Sequence, residues 1–194
     1  MTEEESQLKD KIVLQAVKSV KKDKKIDQVS LSAIANELEV DFSEITQYYT
    51  SIEDIFLHQQ KRQWKQTYKK LDKDIKAAKN VGDFKNVFDS FLQDFVDGLS
   101  SDADFHLEVC SFLPSCLEFR ERNKKQLTKK LKQVINKGWP GKTSDVLERQ
   151  TDLCVLSFYG FLDHVVHIPK SDRSKILKDF RNMLNLHLQD RLFF

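Results

Sequence analysis

A chain of 194 residues is long enough to fold around one full hydrophobic core, or to join a small module to a larger domain. Hydrophobic residues at 40% and charged residues at 32% exclude an intrinsically disordered chain, while a formal net charge of +2 does not decide for or against nucleic-acid binding. Three prolines and five glycines supply few turns for an all-β protein, so we expect an all-α fold.

Apolar residues recur at helical spacing along most of the chain, and the pattern predicts three small helices followed by larger ones. In chain order the predicted helices span 8–22, 30–38, 42–49, 51–80 and 84–99, then a short segment ending at Phe112, then 116–137, 145–167 and a last helix that Ser171 caps. The helix over 145–167 is apolar on nearly every face, which predicts burial on all sides.

Charge is distributed unevenly around the third predicted helix. No Lys or Arg occurs from Ile26 to Gln60, and the same segment carries seven acids. Asp41 with Glu44, and Ser51 with Asp54, have the spacing of capping boxes, and Glu53 also falls in a first turn, so helix capping explains four of these acids. The remaining ones include Glu37 and Glu39, for which the sequence offers no explanation beyond exposure to solvent.

Several function classes lack their signatures. The chain contains no Gly-rich phosphate loop, no nucleophile motif and no zinc-protease motif, so we expect no enzyme and no cofactor. Cys110, Cys116 and Cys154 have no metal-binding spacing and are expected to be buried, reduced thiols. Asp163, His164 and His167 share one helix, but no third protein ligand is evident, and we interpret them as interface or buried polar groups. An acidic N-terminus and short apolar runs predict a cytoplasmic protein without a membrane span.

Two matches, Ile34-Ala35 and Tyr48-Tyr49, and two partial matches, Glu39-Val40 and Ser51-Ile52-Glu53, carry a family resemblance. With the leading helix, they make residues 10–56 resemble the N-terminal domain of TetR-family transcriptional regulators. The chain departs from that family's usual residues at Glu39 (Gly), Ser43 (Gly), Thr46 (Tyr) and Ile52 (a phosphate-binding Lys). The resemblance implies a three-helix helix-turn-helix domain over 1–50, followed by a six-helix ligand-binding and dimerisation domain over 51–194.

The resemblance also implies a set of DNA contacts. The helix-turn-helix supplies Ser30, Ser43, Thr46, Gln47 and Tyr48, and the connector before it supplies Lys21, Lys22, Lys24 and Lys25. Thr46 and Gln47 are expected to reach base edges, whereas Ile45 and Tyr49 are expected to lie in the core. With so few cations we expect a shallow dependence of binding on salt.

By the same resemblance, the second domain surrounds a pocket for a small hydrophobic or aromatic ligand and forms a homodimer through its last two helices. The pocket candidates are Trp64, Tyr68, Phe91, Phe95, His106 and Phe112. The dimer-interface candidates are Phe158, Phe161, Leu162, Val165, Phe180 and Leu184, with Gly160 allowing close approach.

Two functional hypotheses follow. The first is a homodimeric regulator, of the repressor type, that binds a palindromic DNA operator under the control of a small molecule. The second keeps the fold and the dimer but has lost DNA binding, and it acts through a ligand or a protein partner. The spacing of the helix-turn-helix favours the first, and the missing cations favour the second.

Overall fold

The computed structural model of the chain describes residues 3–21, 26–94, 113–140, 144–165 and 167–189. All regular structure in these ranges is helical, which confirms the predicted all-α class. The elements are α1 (Glu3–Lys21), a 3₁₀ turn (Ile26–Gln28), α2 (Leu31–Leu38), α3 (Phe42–Thr46), α4 (Ile52–Ala77), α5 (81–94), α6 (Pro114–Gly138), α7 (Ser144–Val165) and α8 (Lys170–Gln189). Within the same ranges no helix is long and apolar enough to cross a membrane. The predicted short helix ending at Phe112 lies outside the described residues.

Helix boundaries differ from the predictions where local chemistry was misread. Helix α1 begins at Glu3 because Glu3, Glu4 and Glu5 occupy its first turn, where carboxylates interact favourably with the helix dipole. The predicted cap at Ser171 is wrong, because α8 already begins at Lys170 and Ser171 lies in its first turn. Helix α3 is also shorter than predicted and ends at Thr46.

The chain divides into two compact units, one formed by Met1–Gln66 with Asp104–Arg120 and the other by Thr67–Ala103 with Glu121–Phe194. In the first unit the predicted apolar stripe of α1 is confirmed, since Ile12, Ala16 and Val20 are buried against α2 and α3. The same core includes Phe56 from α4 and Cys116 from α6. This core therefore joins residues that are far apart in the sequence.

The second unit packs around aromatic side chains of α5, where Phe88 meets Trp139 at 5.7 Å and Phe91 meets Phe158 at 5.3 Å between ring centroids. Helices α7 and α8 run antiparallel. Near one end of the pair the Gln150 side chain donates to the carbonyl of His187 at 3.1 Å. Nearer the connection the rings of Phe161 and Phe180 stack 4.2 Å apart.

Candidate nucleic-acid interface

Helix α2 begins after a serine cap, Ser30, rather than at Ser30 itself. Ser30 has an extended backbone, and its Oγ accepts a hydrogen bond from the N–H of Ala33 at 3.1 Å. This satisfies one of the N–H groups that a helix leaves without a partner at its start. The Ser30 side chain is exposed and lies 3.0 Å from the hydroxyl of Ser32. Two hydroxyls are therefore available to a ligand at the start of α2.

The turn between α2 and α3 is closed by a left-handed residue. Glu39 has φ 55° and ψ 41°, and its N–H donates to the carbonyl of Asn36 at 3.3 Å. The N–H of Val40 donates to the carbonyl of Ala35 at 3.1 Å, completing a Schellman arrangement. Glycine is the usual residue at this position because it has no Cβ to clash. The chain thus makes the turn between α2 and α3 with a residue that adopts this conformation at an energetic cost.

Helix α3 presents one face to the core and the other to solvent. Ile45 on α3 and Tyr49 just beyond it are buried, as predicted. On the opposite side Ser43, Thr46 and Gln47 are exposed, and the Thr46 hydroxyl donates to the carbonyl of Ser43 at 3.2 Å. The structure thus brings these three predicted DNA-binding residues onto one accessible face.

The same face includes a residue that the sequence reading missed. Phe42, at the start of α3, is 52% exposed. The sequence did contain a sign of this exposure. Phe42 stands beside Ser43 in the first turn of α3, where a large apolar side chain has no role in the core. The exposed face of α3 is therefore apolar and amide-bearing rather than cationic.

Two of the acids around this face, Glu37 and Glu53, accept hydrogen bonds from neighbouring helices. The Glu37 carboxylate accepts from the side chains of Gln15 and Ser19, and so ties α2 to α1. The Glu53 carboxylate accepts from the N–H of Ser115 at 2.7 Å, at the start of α6. These contacts give Glu37 a structural role that the sequence alone did not indicate, and they add an inter-helix contact to the first-turn role predicted for Glu53.

The predicted caps at the next helix starts are also present. The N–H of Asp41 donates to Glu44 Oε1 at 3.1 Å, and Ser51 Oγ accepts from the N–H of Asp54 at 3.1 Å. The Asp54 carboxylate accepts from both the hydroxyl and the N–H of Thr50, and these bonds lower the pKa of Asp54 below its usual value. The acids here stabilise helix ends.

Cations reach this region from the flanks. Lys22, Lys24 and Lys25 of the predicted connector lie outside the described residues, and Lys21 is the last residue of α1. On α1, Lys9 places its Nζ 4.6 Å from the ring centroid of Tyr48. Tyr48, the fifth predicted contact of the helix-turn-helix, is therefore covered in part by a cation.

Beside Tyr48 lies a cleft of about 520 Å³ within the first unit. Its lining consists of Tyr48, Tyr49, Asp54, Leu57, His58, Lys61, Arg62 and Lys65. The hydroxyl of Tyr49 lies 3.1 Å from Nδ1 of His58, and burial raises the pKa of Tyr49 to about 12. The sequence alone does not predict this cleft, because its lysines come close to Tyr48 and Tyr49 only through packing.

Of the predicted ligand-pocket residues, Phe95, His106 and Phe112 lie outside the described part of the chain. Trp64 is half-buried in the first unit. Tyr68 and Phe91 are buried in the second unit, where the Tyr68 hydroxyl donates to Asn123 Oδ1 at 2.8 Å. The polar group of Tyr68 is thus already satisfied inside the protein.

The same hydrogen-bond network continues to α7. The Asn123 amide donates to the hydroxyl of Tyr159 at 3.2 Å, and Asn123 and Tyr159 are both buried. Burial is the main cause that raises the pKa of Tyr68, and the neighbouring Tyr159 adds to it. These three side chains form one buried polar network in an otherwise apolar core.

The predicted dimer residues lie mostly inside the single chain. Phe158, Phe161, Val165, Phe180 and Leu184 are buried, and Leu162 is half-buried. The apolar side chains that α7 and α8 leave exposed are Leu153, Leu156, Met183 and Leu186. One stripe of α7 therefore faces solvent in the single chain, so burial of this helix on all sides, as its sequence predicts, would require a second copy.

Next to Leu156 on that stripe, Gly160 has open space around it, since a Cβ added there would meet no atom within 4 Å. Asp163, His164 and His167 are exposed. Among the residues that the structure describes, no three His, Cys, Asp or Glu side chains are grouped so as to hold a metal ion. Cys116 and Cys154 are buried, as expected, and Cys110 lies outside the described residues.

In comparisons with known proteins, no protein-family model matches the chain and no curated protein is detectably similar to it.

Proposed function

We propose that the chain is a homodimeric transcriptional regulator that resembles the TetR family and has no catalytic role. The observation that carries this proposal is the exposed face of α3. Its core side is fixed by Ile45 and Tyr49, which leaves Ser43, Thr46 and Gln47 directed to solvent at the position of a recognition helix. Phosphate contacts then come from hydroxyls and backbone N–H groups, including Ser30 at the start of α2.

The chemistry of this face predicts how it reads bases. Gln47 can pair with the N6 and N7 atoms of adenine, and Phe42 can contact the methyl group of thymine. Thr46 can form a hydrogen bond with either adenine or thymine, because its hydroxyl is both a donor and an acceptor. We therefore expect an operator half-site rich in A·T pairs, bound with a weak dependence on salt.

Dimerisation follows from the exposed apolar side chains of α7 and α8. Leu156 is 59% and Leu186 is 66% exposed, and burying the exposed part of each side chain contributes about 1–2 kcal/mol. Beside them, Gly160 would let the backbone of a second copy approach closely. We propose that two copies pair through this surface into a four-helix bundle. A small hydrophobic or aromatic ligand bound in the second unit would then alter the spacing of the two helix-turn-helix units.

DNA binding is tested by selecting bound sequences from a pool of random duplexes at two salt concentrations. The wild-type protein should enrich one palindromic sequence. Gln47→Ala should lose the preference at one position, with a cost of about 1–3 kcal/mol, and Thr46→Ala should relax a neighbouring one. The matched control is Gln126→Ala, an exposed glutamine on α6, which should leave the preference intact. Absence of binding even at low salt would contradict the proposal.

Dimerisation is tested separately by sizing the Leu156→Asp variant. The side chain is exposed in the single chain, so the substitution should leave the helical content unchanged and yield a monomer. Leu117→Asp, at a 40% exposed leucine on α6, should remain dimeric. A dimer that survives Leu156→Asp would place the interface elsewhere.

A second candidate function is favoured by the character of the α3 face. From Ile26 to Gln60 the chain has no Lys or Arg, and Phe42 occupies an exposed site at the start of α3. This composition suits a protein partner, because aromatic side chains are enriched in protein interfaces and charged ones are depleted from their centres. A dimer that enriches no DNA sequence and binds no duplex at low salt supports this alternative.

A further inference from the structure

The cleft beside Tyr48 combines concavity with a concentration of cations. Lys61, Arg62 and Lys65 from α4 line it, and Lys61 and Lys65 are exposed. Its volume of about 520 Å³ falls within the range of small-molecule sites, which is roughly 300–1,000 Å³. Leu57 and the Tyr48 ring supply an apolar wall. A flat basic surface would lack both the enclosure and this wall.

The two acids near the cleft are already engaged. The Asp54 carboxylate accepts two hydrogen bonds from Thr50. Asp10 forms an ion pair with Arg62. Asp54 keeps its negative charge and Asp10 offsets Arg62, but the three cations Lys61, Arg62 and Lys65 outnumber these two acids, so the cleft has a net positive potential that an anion would neutralise.

The pKa of His58 is affected by this positive potential. Burial is the largest cause that lowers the pKa of His58, and Lys9, Arg62 and Lys61 lower it further, with Asp10 opposing them. Cations that disfavour the protonated imidazole favour an anion at the same place. An anion bound in the cleft should therefore raise the pKa of His58.

The charged hydrogen-bond donors of the cleft lie along one face of α4. The Tyr49 hydroxyl and His58 Nδ1 are 3.1 Å apart, so the imidazole is held in place by a neutral partner. Lys61, Arg62 and Lys65 supply charged donors from successive turns of one helix. Charged donors to phosphate oxygens form shorter and stronger hydrogen bonds than neutral ones.

From these observations we propose that the cleft lined by Tyr48, His58, Lys61, Arg62 and Lys65 binds the phosphate group of a small molecule, a phosphate monoester or a pyrophosphate. The phosphate lies against the face of α4 that carries His58 and the three cations, and the organic part rests on the wall formed by Leu57 and Tyr48. This site is distinct from the ligand pocket expected in the second unit, and it does not depend on the proposed binding of DNA.

The experiment titrates the full-length protein with inorganic pyrophosphate at constant ionic strength, using calorimetry for affinity and NMR for the His58 ring protons. We expect saturable binding of one pyrophosphate per chain and an upward shift of the His58 pKa, with the exposed His164 and His167 as internal references. Lys61→Gln combined with Lys65→Gln should weaken binding about tenfold or more.

The matched control is Lys73→Gln combined with Lys76→Gln, which removes the same charge from exposed positions further along α4. This control should bind pyrophosphate as the wild type does. Equal weakening in the control, or no saturable binding, would overturn the proposal. A third arm uses a short duplex of arbitrary sequence. If only the duplex binds, and does so through Lys61 and Lys65, the phosphate belongs to DNA and the small-molecule site is refuted.

Discussion

Replacing Glu39 with glycine should stabilise the first unit, because the turn between α2 and α3 places Glu39 in the left-handed region with φ 55°. In that region the Cβ of an L-residue crowds the following carbonyl oxygen, and glycine avoids this clash. The hydrogen bonds of the turn are made by backbone groups, namely the N–H groups of Glu39 and Val40. They are therefore retained in the variant.

The magnitude follows from two opposing contributions. A non-glycine residue in the left-handed region costs about 1–2 kcal/mol, and glycine loses about 0.5–1 kcal/mol more backbone entropy on folding. The difference is a net stabilisation of about 0.5–1 kcal/mol for Glu39→Gly. Removing a carboxylate from the C-terminal end of α2 adds about 0.3 kcal/mol or more, because the helix dipole is negative there.

The matched control is Glu39→Ala, which removes the carboxylate but keeps the Cβ, so the two variants together separate the conformational contribution from the charge. Urea unfolding followed by circular dichroism gives the free energies, and hydrogen exchange at the amides of Ile34 and Ile45 assigns them to this unit. We expect Glu39→Gly to exceed Glu39→Ala by about 0.5–1 kcal/mol. Equal stabilities of the two variants would refute the argument from backbone strain.

Three further outcomes are expected. Asn123→Leu should cost about 2–3 kcal/mol in urea unfolding, because it removes the buried side-chain amide that hydrogen-bonds to both the Tyr68 and the Tyr159 hydroxyls, and an equally stable variant would show that this amide contributes nothing. Phe161→Asp should fail to fold by circular dichroism, because this side chain is 8% exposed and stacks on another ring; a folded variant would contradict the assigned packing. The folded pKa of Tyr49 is raised to about 12 from an ordinary 10.0, so its contribution to stability is fully present below pH 10 and is lost as the pH rises toward 12. Urea unfolding of Tyr49→Phe should therefore depend less on pH above 10 than that of the wild type.

Local signals in the sequence predicted the parts of the fold that local chemistry determines. The apolar stripe of α1, the Asp41–Glu44 contact and the serine cap at Ser51 depend on residues within a few positions of each other, and all are present. Likewise, the alternation of Ile45 and Tyr49 with Thr46 predicted which side of α3 faces solvent.

Features that depend on packing between distant residues were not predictable in this way. The partner of Glu53 is 62 positions away at Ser115, and no periodicity connects the two. The cleft is similar, because Tyr48 and Lys65 meet only after α4 packs beside α3. For α7, the apolar content was visible in the sequence, but which residues face α8 and which face solvent depended on the register between the two helices.

The core of the first unit has a consequence for the order of events during synthesis. It contains Phe56 and Cys116, and the second of these is made roughly sixty residues after the first. At a synthesis rate of about 5–20 residues per second, this part of the core lacks its last member for roughly 3–12 s. During that interval α1, α2 and α3 already exist, with the place of Cys116 and Leu113 still open. The core that α1, α2 and α3 share is therefore completed late during synthesis, although these helices come first in the sequence.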